Sequence, residues 1–75
     1  AKELAFEKEK PQDVLAELER HFDLTIKAEA FPKNELFTGK LPGDNSEAAL
    51  QLLAHSYHFK VVKINDRTYS LDATP

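Results

Sequence analysis

The chain has 75 residues, 41% of them hydrophobic, with 13 acidic and 10 basic side chains, a net charge of −3 and no cysteine. That length holds one domain whose core is close to the lower limit of self-sufficiency, and neither a disulfide nor an evident metal cluster staples it. Acids outnumber bases without any Lys/Arg cluster, which sets nucleic acid aside; no apolar run is long enough to span a bilayer, so any export signal or anchor would lie outside these residues.

In chain order, Leu4 and Phe6 alternate with Glu3, Ala5 and Glu7, the pattern of a half-buried strand over Glu3 to Glu7. Lys8, Glu9 and Lys10 are all charged and read as a solvated turn. Pro11 suits a first helical position, where its missing N–H has no partner to lose. Val14, Leu15, Leu18 and Phe22 then form one apolar helical face, with Asp13 and Glu17 toward the positive end of the helix dipole and Arg20 and His21 at the negative end. After Asp23 the period changes from helix to strand: Leu24, Ile26 and Ala28 alternate with Thr25, Lys27 and Glu29.

Ala30 to Glu35, with Pro32 and Asn34, reads as a loop. Phe37, Gly39 and Leu41 give a third strand, and Pro42-Gly43 a turn. Asp44 or Asn45 caps a second helix whose stripe is Ala49, Leu50, Leu53 and Tyr57. Phe59 to Ile64 and Arg67 to Asp72 are strands joined at Asn65-Asp66 into a closing hairpin. The order is βαβ-βαβ-β, an α+β class in a single domain over residues 1–75.

The two halves superpose in sequence at a shift of 35 positions. Phe6 meets Leu41, Val14 meets Ala49, Leu15 meets Leu50, Leu18 meets Leu53, Phe22 meets Tyr57, Leu24 meets Phe59 and Ile26 meets Val61. Helix phase and strand phase agree together, so unit one (about 3–29) and unit two (about 36–64) are copies of one structural unit, closed by a strand at about 67–72. Asp23 and His58 are mates that follow the aromatic end of each helix. That position calls for left-handed backbone, which Asp and His tolerate, so both are expected at positive φ.

The residues offer little chemistry. His55 and His58 stand three apart at a helix end without a third ligand, and a helix-end cation is the simpler account of them. Ser46, Ser56 and Ser70 lie in no nucleophile context, and no glycine-rich phosphate loop is present. Asp13, Glu17 and Glu19 make a charged helix face with no apolar pocket to raise a carboxylate. The expectation is a protein without catalytic, cofactor or metal-ligating residues.

The set Leu4-Ala5-Phe6, Pro11, Val14-Leu15, Leu18-Glu19, Phe22 and Ile26, followed by Phe37-Thr38-Gly39-Lys40-Leu41, Ala49-Leu50 and Leu53, resembles the C-terminal domain of FecR-family anti-sigma regulators of the Bacteroidetes type. It departs from the family pattern at Asp23 and His58, where glycine is usual, and at Gln12, where an apolar residue often follows the proline. The resemblance implies a small sandwich, two helices packed between a two-stranded and a three-stranded sheet. It implies a periplasmic module of a regulator anchored in the inner membrane. Its implied partner is the N-terminal signalling domain of an outer-membrane TonB-dependent transducer, with a sigma factor engaged only through another part of the parent protein. The alternative is a signalling or assembly domain of a transducer or secretin, which shares the arrangement; upstream sequence separates the two.

The repeat itself points to a surface. Glu17, Lys27 and Glu29 of unit one correspond to Leu52, Val62 and Ile64 of unit two. Either the second unit packs more thickly there, against the last strand, or these residues form a contact surface. In the second case Leu36 and an exposed edge strand from Arg67 to Asp72, with Thr68 and Tyr69, would join Leu52, Val62 and Ile64 as partner-binding residues.

Overall fold

A computed structural model describes residues 2–75. Its elements run β1 (Glu3–Glu9), α1 (Pro11–Phe22), β2 (Thr25–Lys27), β3 (Phe37–Pro42), α2 (Ser46–Ser56), β4 (Phe59–Asn65) and β5 (Thr68–Ala73). Antiparallel β1 and β3 form a two-stranded sheet, and the other sheet has the order β2-β5-β4. The two helices pack between the sheets, α1 touching β1 and β2, α2 touching β3 and β4. Each unit thus sends its first strand into one sheet and its second into the other.

The strand registers carry the repeat into three dimensions. Ala5 and Lys40, mates at the shift of 35, lie opposite each other in the two-stranded sheet. Lys27 and Val62, also mates, lie on either side of Ser70. Ile26 sits beside Tyr69 and its mate Val61 beside Leu71. An approximate two-fold axis therefore runs from the Ala5–Lys40 pair to Ser70, with β5 on it.

Both helix stripes meet at this axis. Val14, Leu18, Ala49, Leu50 and Leu53 are fully buried, and Leu15, Phe37, Leu41, Tyr69 and Leu71 close around them. Helix α1 opens on Pro11 without a side-chain cap and ends at Asp23 with φ 57°, where the Asp23 and Leu24 N–H groups both reach the Glu19 carbonyl. Helix α2 is capped by Asn45, whose Oδ1 accepts from the Ala48 N–H at 3.0 Å. It ends on tighter three-residue turns before His58 at φ 62°. Positive φ at Asp23 and His58 is as expected. Within β3, a Cβ on Gly39 would stand 3.2 Å from Cζ of Phe37; glycine gives that ring its place, edge-on to Phe6 at 6.0 Å.

Three readings need correction. The first strand does not stop at Glu7. Lys8 takes φ 51° in a bulge, its N–H donates to Thr38 Oγ1 at 2.9 Å, and pairing resumes at Glu9↔Phe37. The strand expected over Leu24 to Glu29 is only Thr25–Lys27, because the chain turns at once, with Phe31 N–H on the Ala28 carbonyl. The loop after it, which the sequence marks only as a loop, supplies a core residue. Phe31 is 2% exposed and packs edge-on to Tyr57 and Phe59, ring centres 5.0 Å apart in each pair. Lastly, the closing strand is not an exposed edge: β5 is the middle strand of its sheet.

Candidate functional site

The candidate site is built on β4 and the outer face of its sheet. In β4, Phe59 and Val61 turn toward the core while Lys60 and Val62 point outward. Across the outer face, Lys27, Ser70 and Val62 form one row, and Lys60 stands opposite Asp72. A bulge after Lys63 places Ile64 outside the ladder.

The large exposed hydrophobic residues are Leu36, Leu52, Val62 and Ile64, at 53%, 51%, 37% and 51%. Each was singled out in the sequence, three of them by their charged mates. Extra packing against the last strand would bury them, and it leaves more than a third of each exposed. Val62 and Ile64 share β4, Leu52 lies on α2, and Leu36 precedes β3 in the other sheet. Thr68 is half-buried between Thr25 and Asn65. Tyr69 does not belong to a surface. It is 4% exposed in the core, with its hydroxyl 3.2 Å from Glu47 Oε2.

The open side of β4 matters as much as its face. Thr74 N–H bonds the His58 carbonyl at 3.3 Å, which fixes the antiparallel alternation. Lys60 and Val62 direct their backbone groups to β5, and Phe59, Val61 and Lys63 direct theirs to the free side. No backbone or side-chain partner meets those groups among the described residues. The opposite edge, β2, differs: Glu19 Oε2 accepts the outward Ile26 N–H at 2.7 Å. The sequence showed Glu19 only as part of a charged helix face. What identifies it is the left-handed turn at Asp23, which folds β2 back beneath the last turn of α1.

Elsewhere the charged groups are solvated. Glu17 and Arg20 pair at 2.6 Å on α1, and Arg67 meets Asp23 at 3.3 Å across the turn; such exposed pairs add little stability. Burial, with a smaller push from Glu35, raises the Tyr57 phenol above its ordinary value, and its hydroxyl donates to the Glu35 carbonyl at 2.7 Å. His55 and His58 are both exposed. Among the described residues no three His, Asp or Glu side chains converge in a metal-binding group, and no helix is long and apolar enough to cross a membrane. Where β2 leaves β5, an open cleft of about 880 Å³ forms between Ile26–Ala30 and Ser70–Ala73.

The family model described as FecR, C-terminal, matches residues 3–71. Two crystal structures of a candidate anti-sigma factor from Parabacteroides distasonis ATCC 8503 are similar in fold, with TM-scores of 0.79 and 0.78. Both are 20% identical over 97% of this chain and 34% of theirs. The chain therefore spans about a third of the length of these solved structures. No curated protein matches it.

Proposed function

The chain belongs to the FecR C-terminal family, and from that premise we propose that it is a non-catalytic protein-binding module of a membrane-anchored anti-sigma regulator. The module works in the periplasm. It binds the N-terminal signalling domain of an outer-membrane TonB-dependent transducer, and binding there controls release of a sigma factor held by another part of the regulator. One observation carries the reading: Val62 and Ile64 lie exposed on a strand whose outer edge is open, where the repeat mates are charged. A hydrophobic strand left bare beside a complete core is a surface for another protein.

Co-purification tests the proposal. The tagged domain, expressed with the signalling domain of the transducer encoded beside its parent, is expected to retain it through washing. The variant Val62→Lys/Ile64→Glu, which restores the charge types of unit one, is expected to fold and to lose it. Equal retention by both proteins would remove the surface from the account, and no retention by either would remove the partner.

A further inference from the structure

The internal repeat supplies its own control. β2 and β4 flank β5 as mates, yet only one edge is closed. In unit one Glu19 covers the outward Ile26 N–H, Lys27 places a charge on the strand, and Glu29 places another on the turn just beyond it. Blocked backbone groups, short length and charged side chains are the means by which proteins prevent strand-to-strand association. In unit two every one of these is replaced. The mate of Glu19 is Ala54, fully buried and without an acceptor. The mates of Lys27 and Glu29 are Val62 and Ile64. The strand lengthens from Thr25–Lys27 to Phe59–Asn65.

We propose that β4 is a strand acceptor. An extended segment of a partner protein pairs with its open edge, bonds the backbone groups of Phe59, Val61 and Lys63, and makes the three-stranded sheet four-stranded. Phe59–Asn65 holds Lys60 and Lys63 and no acid, in a chain of net charge −3. Lys63 has Glu47 at 3.6 Å, whereas Lys60 forms no ion pair among the described residues. The incoming strand therefore carries an acidic residue beside Lys60 and an apolar one beside Val62. A second copy of β4 would bring more lysines to this strip, so the occupant is a different protein. The inference rests on the chain being a protein-binding module and not on which protein it binds.

The test is an NMR titration of the isotopically labelled domain with the capped heptapeptide Thr-Thr-Glu-Thr-Val-Thr-Thr, whose glutamate and valine, two residues apart, share one face of a strand. The amides of Phe59, Val61 and Lys63 are expected to shift and gain exchange protection, with Ile26 unmoved. Lys63→Pro deletes one outward N–H and leaves the β5 ladder intact. It should weaken binding at least about tenfold, the equivalent of a strand hydrogen bond and its neighbours; Lys63→Ala, which loses only the exposed charge, should stay within about threefold. The inference is overturned by any of four results: unshifted β4 amides at millimolar peptide, equal shifts at Ile26, equal binding by Lys63→Pro and Lys63→Ala, or the same amides moving with the concentration of the domain alone. A parallel titration uses the transducer's signalling domain. Silence there beside a positive peptide result leaves the strand acceptor standing and removes the partner named above.

Discussion

Replacing Phe31 by alanine tests whether a loop side chain completes this core. Phe31 is 2% exposed, and its ring meets Tyr57 and Phe59 edge-on at 5.0 Å. Truncating a buried phenylalanine removes about 3–5 kcal/mol, and each aromatic pair adds about 0.5–1.5 kcal/mol beyond area; a loss of about 4 kcal/mol is expected. A domain of 75 residues has a total stability of roughly 4–11 kcal/mol, so the variant should be barely folded. In urea, with a slope near 1 kcal/mol per molar for a chain this small, the midpoint should fall by about 4 M or the transition should vanish. Leu36→Ala, five residues along the same loop and 53% exposed, should change stability by less than about 0.5 kcal/mol. A loss below about 1.5 kcal/mol for Phe31→Ala, or equal losses for the two variants, would refute the placement of Phe31 in the core.

Other outcomes follow from the same geometry. Glu19→Ala should lower stability by about 1.5–3 kcal/mol, the value of a charge-assisted bond to a partly buried N–H, and should speed exchange of the Ile26 amide. Gly39→Ala should cost about 1–3 kcal/mol in thermal unfolding, because its Cβ crowds the Phe37 ring. The phenol of Tyr57 has a folded value raised above 10. Its contribution is therefore present below pH 10 and is lost as pH rises through the folded value, so stability should drop in alkaline solution. Tyr57→Phe should flatten that part of the pH profile.

The sequence was most informative where periodicity meets burial. Both helix stripes, both αL positions and the equivalence of the two units were legible, because Val14, Leu18, Leu50 and Leu53 had to face one core and Asp23 and His58 had to turn the chain. Neighbour order in the sheets was not legible. The alternation of Tyr69 and Leu71 with Ser70 says that β5 has one buried face, and that is equally true of a central and an edge strand. Phe31 belongs to no periodic pattern, so nothing in the sequence marked it as core. The bulge at Lys8 was hidden in a charged run, although its N–H is held by Thr38. Within the candidate site, Leu36, Leu52, Val62 and Ile64 were visible as apolar residues, three against charged mates. The open backbone edge beside Val62 could be seen only once β5 was known to lie between β2 and β4.

The most direct measurement is isothermal titration of the domain with the N-terminal signalling domain of the transducer encoded beside its parent regulator. A one-to-one complex with a dissociation constant of about 1 μM or tighter, near −8 kcal/mol, is expected for the native chain. Val62→Lys/Ile64→Glu should abolish the heat while leaving the unfolding free energy within about 0.5 kcal/mol of native. No heat with the native chain, or undiminished binding by the folded variant, would contradict the account.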